Sequence, residues 1–187
     1  MVYGAAGAGA RAMTSSSSPG ISLKQEGISY MVGAELPAVI VNMVRGGPGL
    51  GSIQPAQSDY FQSTRGGGHG DYRTPTFVPA SIQEAVELTQ RAFDVADQYR
   101  NPVIVMGDGM IGQMMEPVEM PDYKPRELPP KTWATTGWSE KMGIPRRIIN
   151  SLYIQPDVLE RHVAHLMEKY AEIEKNECLV EEQFTDD

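Results

Sequence analysis

Residues 81–109 read SIQEAVELTQRAFDVADQYRNPVIVMGDG, and this stretch alone holds one full helix-to-strand unit. Ser81 with Glu84 three residues later is a capping box, in which a hydroxyl and a carboxylate satisfy N–H groups at a helix start. The spacing predicts a helix to about Tyr99, with Ile82, Ala85, Val86, Phe93 and Ala96 facing inward. Asn101 and Pro102 end it, since proline has no N–H to continue a helix. VIVM (Val103–Met106) is then apolar at every position, as in a strand of a parallel sheet covered on both faces.

The same alternation extends toward the amino end. Pro19 is suited to a first helical turn, and the helix it opens runs to Gly33 with Ile21, Ile28, Met31 and Val32 inward. After Pro37, AVIVNMV (Ala38–Val44) is a second, nearly continuous apolar run of strand length. A glycine loop follows from Arg45 to about Pro55, then a short helix near Ser58–Ser63, then a second glycine loop, RGGGHGDYR (65–73). MVYGAAGAGAR (1–11) reads as a helix whose Ala and Gly face allows close packing, and MTSSSS (13–18) as a polar loop or pocket edge. Helix, strand, helix, strand with fully apolar strands gives an α/β fold: a parallel sheet with flanking helices. Toward the carboxyl end, residues 121–156 read as a proline-rich linker. Residues 157–187 read as an amphipathic helix, with Leu159, Val163, Leu166, Tyr170 and Ile173 on one face, plus an acidic tail.

Composition narrows the function. The chain has 187 residues, 41% hydrophobic and 21% charged, which suits one globular domain. Of its net charge of −8, ten acidic and three basic residues after Gln155 account for −7, so the remainder is nearly neutral. Without a basic stripe there is no electrostatic footprint for nucleic acid. No apolar run reaches the roughly 20 residues of a membrane span, so neither nucleic acid nor membrane is an expected partner. A single cysteine, Cys178, excludes a disulfide framework and an iron–sulfur cluster held by this chain, which needs about four thiolates. A reducing, cytoplasmic compartment is the expectation.

Few motifs survive scrutiny. Gly7-Ala-Gly9-Ala-Arg-Ala12 imitates a dinucleotide fingerprint, but no strand precedes it. Gly107-Asp108-Gly109 follows a strand and resembles a magnesium–diphosphate motif, yet WATTGWS (133–139) lacks the asparagine that would complete it. A tight strand-end turn is the expectation there. His162, His165 and Cys178 fall short of a zinc set, so no metal site is expected on this chain. His69 stands among glycines, in a segment open enough to border a cleft, as do Gly46 and Gly47. Arg45 leaves the strand at its carboxyl end, where open parallel sheets place ligands, and a guanidinium can grip a planar carboxylate through two parallel hydrogen bonds. The competing reading is a surface arginine that caps a carbonyl or pairs with Asp59.

Residues 4–73, GAAGAGARAMTSSSSPGISLKQEGISYMVGAELPAVIVNMVRGGPGLGSIQPAQSDYFQSTRGGGHGDYR, resemble the alpha subunit of 2-oxoacid:ferredoxin oxidoreductases, most like the 2-ketoisovalerate type. The resemblance is strong over residues 1–120. It implies the thiamine diphosphate-binding pyrimidine-domain fold, with 1–120 as the carboxyl-terminal part of that domain, incomplete at its N-terminus. It implies oxidative decarboxylation of a branched-chain 2-oxoacid with coenzyme A, giving acyl-CoA, carbon dioxide and electrons for ferredoxin. Thiamine diphosphate would be shared with a beta subunit. Magnesium and the iron–sulfur clusters would sit on partner subunits: beta, gamma, and a ferredoxin or delta-type cluster subunit. The resemblance makes Arg45 the substrate-binding residue and turns Thr14, Ser15, Ser16, Ser17 and Ser18 toward the cofactor. The catalytic glutamate would lie upstream of the segment matching Val2-Tyr3-Gly4, so none is expected in this chain. A 2-oxoglutarate- or pyruvate-specific enzyme shares the same loop plan. A non-enzymatic nucleotide-binding or regulatory α/β module is the alternative of a different class.

Overall fold

A computed structural model describes residues 1–124 and 126–180. The chain divides into two compact units, Met1–Leu152 and Tyr153–Asp187. The first contains α1 (Val2–Gly7), β1 (Met13–Ser16), α2 (Pro19–Gly33), β2 (Ala38–Val44), α3 (Tyr60–Thr64), β3 (Thr76–Phe77), α4 (Ile82–Tyr99) and β4 (Pro102–Asp108). Its four strands form one parallel sheet in the order β1-β2-β4-β3. The expected parallel α/β architecture with flanking helices is the one observed.

The middle of the sheet is held by burial. β2 and β4 pair in unbroken register from Ala38↔Pro102 to Val44↔Asp108. Val39, Ile40, Val44, Val103, Ile104 and Val105 are all buried. Fully burying one such side chain stabilises by about 1.5–3 kcal/mol, so this pair outweighs any single loop interaction. On α2 the four residues expected inward, Ile21, Ile28, Met31 and Val32, are buried as the periodicity required. The α4 cap is also as expected: Ser81 Oγ accepts from Glu84 N at 3.1 Å. The Glu84 carboxylate, however, takes the Ala80 N–H at 2.7 Å, one residue earlier than the usual box.

Several sequence expectations change. The Ala/Gly helix ends at Gly7, and the polar run 13–18 is no loop: Met13–Ser16 is an edge strand, β1. β3 was not anticipated because two residues carry no periodicity. On α4 the buried set is Ala92, Val95, Ala96 and Tyr99, with Asp94 and Asp97 beside them, while Ile82, Ala85, Val86 and Phe93 are only partly covered.

Those two aspartates explain what happens to the proline-rich stretch. Arg11 donates from Nη2 to Asp94 at 2.7 Å and from Nε to Asp97 at 2.9 Å. Lys131 Nζ meets Asp97 at 2.6 Å and also donates to the Gly9 carbonyl at 3.1 Å. Tyr123 donates its hydroxyl to Asp94 at 2.5 Å. Burial alone would lower the Arg11 pKa, but its hydrogen bonds to Tyr123, Asp94 and Asp97 outweigh that and raise it. Residues 121–152 were expected to form part of a linker. The described ones, 121–124 and 126–152, belong to the first unit, irregular but tied down by polar side chains that no hydrophobic pattern reveals.

In the second unit, α5 spans Pro156–Glu177, against the expected 157–175. Leu159 and Val163 are exposed, so the apolar stripe is narrower than its spacing suggests. The Tyr153 ring stacks on His162 at 4.5 Å, and Arg161 bonds Asp157 one turn back at 3.1 Å. Residues 181–187 of the acidic tail lie outside the described residues.

Asp94→Ala removes the acceptor shared by Arg11 and Tyr123. It should cost about 2 kcal/mol, since hydrogen bonds to charged groups contribute about 1.5–3 and Arg11 is partly solvated. Urea unfolding should show a lower midpoint with an unchanged slope.

Candidate functional site

Parallel strands end together, so the carboxyl edge of the sheet gathers residues far apart in sequence. There the chain leaves β1 at Ser17–Ser18, β2 at Arg45–Gly46, β3 at Val78 and β4 at Gly109. Val44 and Asp108 are register partners, which places Arg45 and Gly109 at the same level.

Arg45 sits at the mouth of a closed loop. Its backbone bridges Pro55 antiparallel, Gly46 N donates to the Gln54 carbonyl at 3.1 Å, and Ser52 N donates to the Gly46 carbonyl at 2.8 Å. Gly51 has φ +59°, and any Cβ there would collide with the Gly46 carbonyl, so the loop closes only with glycine at that position. The Arg45 Nε is buried and has no hydrogen-bond acceptor. No Arg45–Asp59 bridge accounts for it: Asp59 Oδ2 accepts instead from Asn42 Nδ2 at 3.3 Å. A buried donor left unmade is costly, so an anion at this N–H gains more than it would at the surface.

The five hydroxyl residues do not act as one wall. Strand geometry alternates their side chains, so Thr14 and Ser16 share one face and Ser15 takes the other. Lys24 from α2 donates to Thr14 Oγ1 at 2.9 Å and to the Ser15 carbonyl at 2.7 Å. Ser16 lies under Gly20, where a Cβ would overlap its hydroxyl, so that glycine lets α2 start against β1. Ser18, at the junction, has φ 45° and ψ −116°, a conformation that costs about 1–3 kcal/mol in a non-glycine residue. Such strain gathers where a chain is held for function.

The second glycine loop packs against α2. Gly68 N donates to the Tyr72 hydroxyl at 3.1 Å, and that hydroxyl donates to Gln25 Oε1 at 3.0 Å. Gly67 approaches the Gln25 side chain so closely that a Cβ would clash with it. His69 is exposed, and its carbonyl accepts from Ser29 Oγ at 3.0 Å. The glycines here serve this contact with α2.

Asp108 is engaged in its own turn, its Oδ1 accepting from Met110 N and Ile111 N at 3.0 Å each. Among the described residues, no group of three His, Cys, Asp or Glu side chains is placed to hold a metal ion. Beside Asp108 a cavity of about 620 Å³ opens between the ends of β2, β3 and β4, with Val44, Tyr60, Val78, Met106, Met110 and Met114 in its walls. Arg45, Gly46, Gly47, His69 and the 14–18 hydroxyls do not line it. Sequence reading missed this cavity because four segments build it. The one available signal was Met106, Met110 and Met114 recurring every fourth residue from the end of the expected strand onward.

Comparison with known proteins gives consistent results. The family model described as "Pyruvate flavodoxin/ferredoxin oxidoreductase, thiamine diP-bdg" matches residues 1–182. The ketoisovalerate oxidoreductase subunit VorB of Methanothermobacter thermautotrophicus is 52% identical over 187 residues, covering 100% of this chain and 52% of that protein. The 2-oxoglutarate synthase subunit KorA of the same organism is 47% identical over 122 residues, 65% of this chain and 32% of that protein. The chain therefore spans about half the length, or less, of the curated relatives it matches. The solved 2-oxoglutarate:ferredoxin oxidoreductase of Magnetococcus marinus superposes with a TM-score of 0.73 at 24% identity, over 94% of this chain and 35% of that one, which shows a shared fold.

Burial pushes the Tyr72 pKa up, and the N–H groups of Gly68 and Gly67 only partly offset this. A raised folded pKa means that stability is intact below the ordinary tyrosine value of about 10 and is lost as pH rises through the folded value. Tyr72→Phe should cost about 1 kcal/mol at pH 8 by leaving Gln25 unpaired. It should also lessen the alkaline loss seen in the parent, as urea unfolding at pH 8 and 10.5 would show.

Proposed function

Because the chain belongs to the pyruvate flavodoxin/ferredoxin oxidoreductase family of thiamine diphosphate-binding domains, we propose that it forms the substrate-facing half of an alpha-type subunit. The reaction is oxidative decarboxylation: a 2-oxoacid and the thiol of coenzyme A become an acyl-CoA thioester, carbon dioxide and one proton, with two electrons passing to ferredoxin. A branched-chain acid of the 2-ketoisovalerate type is the favoured substrate, supported by 52% identity to a ketoisovalerate oxidoreductase subunit. Thiamine diphosphate, when bound, supplies the nucleophilic carbon and the electron sink for this chemistry. What this chain adds is anchoring and shape.

The observation that carries the reading is the buried, unpartnered Nε of Arg45 at the carboxyl end of β2. The glycines beside it leave room for a small acid, and Gly47 has nothing within 4 Å of an added Cβ. In this proposal Arg45 holds the substrate carboxylate by charge-assisted hydrogen bonds, which fixes the acid's orientation before reaction. Ser17 and Ser18, where β1 meets α2, face the cofactor's ring in this proposal, with Thr14 and Ser16 or else Ser15 joining them according to which face of β1 the ring takes. The strained Ser18 and the polar edge strand fit a neutral, hydrogen-bonding heterocycle rather than a diphosphate, because Lys24 is already engaged with Thr14 and Ser15. Gly46 and His69 border the cleft. Diphosphate and magnesium fall to a beta subunit, and the clusters to gamma and ferredoxin-like or delta-type partners. The single cysteine and the occupied Asp108 support that division. In this proposal the assembly works in the cytoplasm, as the single cysteine of the chain favours; no helix among the described residues is long and apolar enough to cross a membrane.

Arg45→Lys in the complete enzyme should raise KM for the 2-oxoacid more than tenfold, because an ammonium cannot reproduce the paired guanidinium bonds. Affinity for thiamine diphosphate should barely change. Steady-state kinetics and a cofactor titration test both parts, and unaltered substrate kinetics would remove Arg45 from the site.

A further inference from the structure

Two apolar features of the first unit stay open to solvent, and they lie at opposite ends of its sheet. The first is the cavity at the ends of β2, β3 and β4. Its walls include Val44, Met106, Met110, Ile111 and Met114, and no lysine or arginine lines it. Apolar residues continue onto its rim, where Tyr60, Val78 and Met110 are exposed. The charge around it is acidic. Asp108 stands in the wall, Glu84 holds the N–H of the lining residue Ala80, and Glu116 holds the N–H of Ile82. An apolar patch with a polar border marks a surface that another protein covers.

The second feature is the segment KMGIPRRI, residues 141–148. It carries three cations and no acid, and Lys141, Arg146 and Arg147 form no ion pair among the described residues. Ile148 is 80% exposed, while the residues after it are seated: Ile149 lies against Gly7 and Ser151 against Gly33. Gly33 ends α2 just before β2 begins, so the segment sits at the amino edge of the sheet, opposite the cavity.

We propose that the chain pairs with a second copy of itself, Ile148 of each copy entering the cavity of the other while Arg146 and Arg147 meet the carboxylates around it. An apolar side chain preceded by two cations complements an apolar cavity with an acidic border. Methionine walls adapt to such an insert, and arginine stems cover apolar rim while their guanidinium groups reach outward to charge. Because the two features lie at opposite ends, two copies set side by side and antiparallel satisfy both contacts at once. That two-fold arrangement closes on itself, whereas copies stacked in one direction would continue without end. None of these residues is among those assigned above to the acid or the cofactor, so the pairing is independent of the proposed reaction.

Sedimentation of the whole chain tests the pairing. The parent should form, as concentration rises, a species of twice the mass of one chain, and added salt should weaken it. Met110→Lys puts a cation in the cavity and Ile148→Glu puts an acid on the inserted residue, both at exposed positions. Each variant alone should pair at least tenfold more weakly, because a charge is driven into an apolar site. Mixed in equal amounts, the two should recover the parent's affinity, since one junction is then native and the other opposes the two new charges. A peptide of residues 141–148 should dissociate the parent pair, and the same peptide carrying Ile148→Glu should not. The peptide decides the matter if a variant fails to fold. A parent that stays monomeric overturns the pairing, and if Met110→Lys then releases a partner subunit from the complete enzyme, the cavity belongs to that subunit. Association that either folded variant leaves unchanged, that mixing does not restore, or that grows beyond two copies overturns it equally.

Discussion

The register of β2 against β4 is the constraint on which the remaining geometry depends. Both strands are covered on their two faces, and each residue of Ala38–Val44 faces one of Pro102–Asp108. A slip by one residue would turn every side chain to the opposite face, exchanging Val44 with Arg45 and Met106 with Gly107. The cost of that exchange fixes where both strands stop. It thereby fixes the level at which the Arg45 loop and the Asp108 turn leave the sheet.

The central elements were legible because their sequences carry period and punctuation together. Ala38–Val44 is apolar but for Asn42 and preceded by proline, α2 begins on a proline, and α4 begins on a capping serine. β1 was not legible. Its residues, Met-Thr-Ser-Ser, are those of an exposed edge rather than a core, so composition described them as a loop. The clamp on α4 was hidden for another reason: Asp94 and Asp97 occupy positions where an amphipathic pattern expects apolar residues, and their partners lie 29–86 residues away. Arg45 could be placed from sequence because it directly follows a clear strand. Its unpartnered Nε, and the methionine-walled cavity at the same end of the sheet, emerge only in the folded chain.

The two glycine loops look alike in sequence and do different work. In the first, Gly51 permits a backbone turn that returns the chain onto Gly46 and leaves Arg45 at a closed mouth. In the second, Gly67 and Gly68 permit close approach to a buried polar pair, Gln25 on the neighbouring helix α2 and Tyr72 of the loop itself. One glycine cluster shapes an opening and the other a contact. A count of glycines cannot separate the two roles.

The clamp on α4 also governs how the chain would come apart if it were cut. Gln83 exchanges two hydrogen bonds with the backbone of Glu119, at 2.9 Å each, and Glu116 caps the Ile82 N–H at 2.9 Å. Tyr123 and Lys131 then fasten the following stretch to Asp94 and Asp97. The segment around Gln113–Met115 is exposed and lies between these attachments and β4. A protease that nicks it severs the polymer without severing the unit: two polypeptides remain docked as one body, and only a denaturant reveals the break. In this region continuity of the fold is carried by side chains rather than by the backbone.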